Sequence, residues 1–164
     1  MPIGVNEEAP LQLFVSYAHE NEEQLRPFLA HLTHLSQQGY IKVWNDRDLF
    51  AGGSWRKGLL EALNRAEIVL LFYTTQARVS DFIQRIELPI SLDRSDANEC
   101  TLIWVPVERN DLDEKHPLER RLKELQCATR NERPIYEFEF VQRGWLEVEQ
   151  AIRQAVEERR ALGR

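Results

Sequence analysis

The stretch "EIVLLFYT", residues 67–74, decides how the rest of the chain is read. Between its two end residues it is nearly continuously apolar, with β-branched Ile68 and Val69, Leu70 and Leu71, and aromatic Phe72 and Tyr73. A strand with one wet face alternates polar and apolar residues, so an unbroken run needs dry surroundings on both sides. A parallel sheet covered by helices provides them. The neighbouring segments fit that demand. Residues 56–65 before it read as a helix with Leu59, Leu60 and Leu63 on one side. After it, "SDFIQRIE" (80–87) reads as a helix that opens on a serine.

Working outward, "LQLFVSYA" (11–18), "YIKVW" (40–44) and "CTLIWVPV" (100–107) are further strand-like runs, and "PIYEFEF" (134–140) reads as a final, partly exposed strand. Helical spacing recurs in "ENEEQLRPFLAHLTHLSQQG" (20–39), where Leu25, Phe28, Leu29, Leu32 and Leu35 share a face and Gly39 supplies a stop. It also recurs in "HPLERRLKELQ" (116–126) and in "GWLEVEQAIRQAVEERRAL" (144–162), with Trp145, Val148, Ile152, Ala155 and Val156 inward. Strand and helix thus alternate about five times, with no repeat and no low-complexity tract. The expected fold is α/β: a flavodoxin-like three-layer sandwich with a five-stranded parallel sheet in the order 2-1-3-4-5.

A formal charge of −6 argues against a nucleic-acid surface. The opening "MPIGVNEEAP" has neither the basic start nor the apolar run of a signal peptide, and no apolar stretch is long enough to cross a bilayer. Cys100 and Cys127 are expected as free, buried or half-buried thiols, and the chain reads as cytoplasmic, without a membrane partner. His31 and His34, one turn apart, lack Cys or acid partners at ligand spacing, so no metal site is expected.

In a sheet of this order the ligand crevice lies beyond the carboxyl ends of strands one and three. Here that means the segments after Tyr17 and after Thr74, the second leading toward "SDFIQRIE". No acid stands where a phosphoreceiver needs one, and "SYAHENEE" lacks the glycines of a dinucleotide or P-loop turn. On a helical wheel Ile83, Ile86 and Ile90 form one arc, and Glu87 falls at its margin, near Ser80 and Ser91. Pro89, just beyond, is expected to kink the helix. Ser16 and Tyr17 end the first strand, where Tyr17 suits stacking on a base or ribose. His19 suits a polar contact to phosphate.

"LFVSYAHENEE" followed by "GYIKVWNDRDLFAGGSW", with "EIVLLFYT" and "SDFIQRIEL" in order behind them, resembles a Toll/interleukin-1 receptor (TIR) domain of the bacterial type. The likeness runs from about Leu11 to about Val156. It implies a TIR domain over residues 11–160, a leader over 1–10, and a tail or linker start over 161–164. It also implies an activity. Many TIR domains cleave NAD+ at the nicotinamide–ribose bond with a glutamate on the helix after the third strand, in a segment that begins with serine. Ser80 and Glu87 match those two positions, and Ile83 stands where many members carry a cysteine.

The resemblance therefore implies NAD+ as substrate with no separate cofactor, self-association or assembly with other TIR domains, and a sensor domain, separate or fused. In the family the loop holding Asp46, Arg47 and Asp48 gates the pocket and joins neighbouring domains. Arg47 is a candidate for the pyrophosphate, against the commoner reading of an exposed loop arginine. Trp55 reads equally as a cover over the nucleotide or as an anchor of the next helix. A lone carboxylate is chemically adequate, because nicotinamide leaves a cationic pyridinium as a neutral amine and needs no general acid. The other reading open to the sequence is a non-catalytic module that assembles with other TIR domains.

Overall fold

The structure, a computed structural model, describes residues 8–44, 55–109 and 111–163. The chain runs β1 (Leu11–Ser16), α1 (Glu22–Gln37), β2 (Ile41–Trp44), α2 (Trp55–Arg65), β3 (Ile68–Tyr73), α3 (Thr75–Val79), α4 (Leu88–Asp96), β4 (Thr101–Pro106), α5 (Pro117–Lys123) and α6 (Val141–Ala161). The strands form one parallel sheet in the order β2-β1-β3-β4. Gly39 ends α1 at φ +80°, and Tyr40 N–H returns to Leu35 O at 3.1 Å, which turns the chain into β2.

Every residue of β3 is buried, and its side chains divide between two cores. Ile68, Leu70 and Phe72 face α1 and α6, meeting Leu25, Phe28 and Leu32 from the first and Trp145, Val148 and Ile152 from the second. Val69, Leu71 and Tyr73 face the opposite layer, among Leu59 and Leu63 of α2, Leu88 and Leu92 of α4, and Leu122 of α5. The run "IVLLFY" is apolar at every position because each parity of the strand has its own dry wall. Phe28, Phe72 and Trp145 close one of those walls as an aromatic triangle, with centroids 5.1, 5.7 and 6.2 Å apart.

The expected fifth strand is corrected. Residues 134–140 form no strand; Ile135–Glu137 is a 3₁₀ turn, and Tyr136 N–H donates to Val107 O, just beyond β4, at 3.1 Å. The place beside β4 is taken instead by a single bridge, in which Ala128 N–H donates to Trp104 O at 2.9 Å and Trp104 N–H to Gln126 O at 3.3 Å. The sheet therefore has four strands among the described residues. "PIYEFEF" alternates like a strand, yet Phe140 is exposed, and Ile135 and Phe138 pack together over Gly144 with the three-residue spacing of a 3₁₀ turn. Pro106, lacking an N–H, closes β4 and blunts its edge.

Cys100 and Cys127 are free thiols, the first buried and the second half-buried, as expected. Burial pushes both upward and leaves them unactivated. Among the described residues no helix is long and apolar enough to cross a membrane. Because Leu70 is fully enclosed at the centre of the sheet, Leu70→Ala is expected to lower unfolding free energy by about 3 kcal/mol, read as a shifted urea midpoint with an unchanged slope.

Candidate functional site

The carboxyl ends of β1 and β3 lie side by side, in a register that sets Ser16 against Leu71. Beyond β3 the chain does not enter the helix at Ser80 directly. Thr74 first caps the short helix α3, accepting Ala77 N–H at 3.0 Å. The backbone then extends at Ser80, whose hydroxyl accepts Ile83 N–H at 3.3 Å and so opens the next helical segment. Ser80 thereby acts as a helix cap.

The turn Ile83–Glu87 is π-helical. Leu88 N–H bonds to Ile83 O, five residues back, where an α-helix would use Gln84 O. The cause lies in the next residue: Pro89 has no N–H to offer Arg85 O, and its ring crowds that carbonyl. One extra residue in the preceding turn relieves the conflict, and α4 continues regularly to Asp96. The expected kink at Pro89 is thus a widened turn, and the widening rotates Glu87 inward.

Glu87 consequently sits away from the margin where the helical wheel placed it. It is 6% exposed, and Ile83, Leu88, Ser91 and Leu92 are buried with it, while Ile86 and Ile90 of the expected arc are only half-buried. Its side chain meets the end of β1, where Ser16 Oγ donates to Glu87 Oε2. Ser91 Oγ donates to the Glu87 carbonyl at 2.6 Å and holds the backbone of the turn. Ser16, a candidate substrate contact by its place at the end of the first strand, is the residue that makes this bond.

Of the remaining sequence candidates, Tyr17 and His19 are described. Tyr17, opposite in parity to Ser16, is half-buried against the α1–α6 core and meets His19 edge-on at 6.4 Å. His19 itself is exposed. Asp46 and Arg47 lie outside the described residues; Trp55 opens α2, and its side chain is likewise outside them. His31 stacks on Phe28 and lies 2.9 Å from Glu149, while His34 is exposed.

Two polar groupings around the crevice escaped sequence reasoning. Thr74 Oγ1 donates to Asn21 Oδ1 at 2.6 Å, and Asn21 Nδ2 donates to Gln76 Oε1 at 3.0 Å, which staples the segment after β1 to the segment after β3. Asn21 stands at the cap position of α1 but makes no capping bond, since its amide is turned across the crevice instead. Asn and Thr before helices are the signal; that they would bond each other across 53 residues is not in it. The second grouping centres on Glu119 of α5, 2% exposed, which accepts Tyr73 O–H at 2.9 Å, Arg78 Nε at 3.0 Å and Asp113 N–H at 2.9 Å. Gln84 Nε2, in the π-turn, reaches the Tyr73 hydroxyl at 3.3 Å. Burial acts to raise Glu119, yet the bonds from Arg78, the Asp113 N–H and Tyr73 hold it below the usual carboxylate range. Burial pushes the Tyr73 hydroxyl well up.

A flavodoxin-like sheet with a buried acid at its winding reversal defines the class of protein, and comparison with known proteins gives the family. The family model for the TIR domain matches residues 13–143, so the chain belongs to the TIR domain family. The uncharacterized protein y4lF of Sinorhizobium fredii is 27% identical over 143 residues, 87% of this chain and 43% of that protein; the chain spans less than half of that relative's length. Among solved structures, the TIR domains of the activated Roq1 resistosome directly recognizing the pathogen effector XopQ share the fold at 16% identity. The match has a TM-score of 0.50 over 90% of this chain and 84% of that one.

Because Glu119 is held ionised in the folded state, its contribution to stability is complete above the ordinary value of 4.5 and is lost as pH falls below it. Urea unfolding at about pH 7 and about pH 3 is expected to show a smaller acid loss for Glu119→Gln than for the parent, alongside lower stability of the variant at neutral pH.

Proposed function

We propose that this TIR domain is an NAD+ glycohydrolase with Glu87 as its catalytic carboxylate. The observation that carries the reading is the placement of Glu87: a buried acid, hydrogen-bonded to the end of β1, beside the carboxyl ends of β1 and β3 where sheets of this order bind ligands. An acid turned into a dry wall by a distorted helical turn does nothing for packing, and a buried acid at a ligand-binding end of a sheet is a candidate for chemistry.

The chemistry asks little of the protein. The glycosidic C–N bond breaks, its electron pair returns to the ring nitrogen, and nicotinamide leaves neutral. The ribose carbon takes up oxocarbenium-like charge, which a fixed carboxylate in a low-dielectric site stabilises. Glu87 also accepts hydrogen bonds from the ribose hydroxyls. Water then attacks the ribose carbon and loses its proton to solvent, giving ADP-ribose; attack from within the same ADP-ribose gives a cyclic isomer. NAD+ is thus the substrate in the cytoplasm, and no further cofactor is required. Ser80 acts here through the helix it caps, and Tyr17, His19, Asp46, Arg47 and Trp55 are the candidates for holding the remainder of the dinucleotide.

Assembly with other TIR domains brings the domain to its active form, in a signalling or immune-defence role such as defence against phage. A sensor, fused or separate, supplies the trigger; in the relative from Sinorhizobium the matched region is 43% of the protein, which leaves room for one.

Purified protein at high concentration, with a crowding agent, is expected to release nicotinamide from NAD+, and Glu87→Ala to lose at least about a thousandfold in rate. Glu87→Gln, which keeps the shape and removes the charge, is expected to behave like alanine. A parent that self-associates yet releases no nicotinamide makes the domain a non-catalytic assembly module instead.

A further inference from the structure

We infer that Ser16 is the positioning residue of the Glu87 carboxylate: the hydroxyl it donates from the end of β1 sets the plane in which that carboxylate meets the substrate. The inference rests on the NAD+ cleavage proposed above and assigns Ser16 a role distinct from contact with the nucleotide.

A glutamate side chain has three rotatable bonds, and holding it in one conformation costs on the order of 2 kcal/mol of rotamer freedom. A helix fixes only its first atoms. Glu87 is fixed at both ends, and by different elements. Its carbonyl is held by Ser91, one turn along α4, and its Oε2 by Ser16, from the sheet. Fixing one carboxylate oxygen fixes the plane of the group, and with it the direction of the other oxygen.

Ser16 suits that task better than a residue on a loop. It closes β1, which runs between β2 and β3, and its own register partner is Leu71 in the centre of the sheet. At 2% exposure its hydroxyl is shielded from bulk water, and a buried hydroxyl without a partner is costly. Ser16 Oγ is the donor in this bond, and Glu87 Oε2 the acceptor. The parity of β1 decides the matter further. Phe14, two residues earlier, packs in the α2–α4 core, so Ser16 faces that layer and Glu87, while Tyr17 turns to the other layer. Displacement of a reacting group by about 1 Å lowers rate by roughly a hundredfold, so the bond bears on turnover far more than on substrate affinity.

The test is Ser16→Ala, with Ser16→Cys as a variant of similar shape and weak donor strength and Ser16→Thr as one that keeps the hydroxyl. In a crystal structure of Ser16→Ala, Glu87 is expected to leave the rotamer it holds in the parent. In nicotinamide release, Ala and Cys are expected to lower kcat by about ten- to a hundredfold with KM within about twofold, and Thr to recover most of kcat. Glu87 keeping its rotamer in Ser16→Ala, or that variant keeping the parent's kcat, overturns the inference. A parent that releases no nicotinamide removes the proposed activity, and the rotamer comparison then decides the role of Ser16 by itself.

Discussion

A strand that is dry on both faces commits the rest of the chain. Ile68, Leu70 and Phe72 need one helical layer, and Val69, Leu71 and Tyr73 need another. Consecutive parallel strands joined by helices supply both layers, since each right-handed crossover lays its helix on one face and a reversal of winding moves the next to the other. The reversal falls between β1 and β3, and sheets of this order bind ligands beyond the carboxyl ends of those strands. The place where the winding reverses thus follows from the hydration of one six-residue strand.

The setting of Glu87 follows from a conflict inside the helix after β3. Pro89 cannot take part in a regular helical ladder, and the turn before it widens by one residue. With the widening, the acid is carried inward and met by a hydroxyl from the sheet. Around this pair the loop segments are tied by side-chain amides and hydroxyls: Asn21 to Thr74 and Gln76, Gln84 to Tyr73. Polar bonds thus join the segments beyond the strand ends, while the layers beneath are held by apolar packing.

Much of this was legible in the sequence. The order of elements, the parallel sheet, the stop at Gly39, the inward stripe of α6 and the free thiols follow from local pattern and were read from it. Other features were misread for definite reasons. "PIYEFEF" alternates with period two, but a 3₁₀ turn placing Ile135 and Phe138 on Gly144 uses the same residues, and the pattern does not separate the two. The short helix α3 lies between two stronger signals, a continuous strand and a serine-led helix, and has too few residues to show a period of its own. Glu87 was assigned to the margin because a helical wheel assumes a constant angle per residue, and a π-turn breaks that assumption.

The sequence by itself determined the fold class, because burial on both faces and helical periodicity are written residue by residue into the chain. It also singled out the helix after β3 and the acid on it. Only the tertiary structure decided where that acid points and what holds it, since Ser16 and Glu87 are 71 residues apart and no local pattern relates them. Hydrophobic burial depends on what a residue is, which a sequence states outright. A hydrogen bond between two distant side chains depends on an ångström and an angle, and those exist only once the sheet and its helices have been packed.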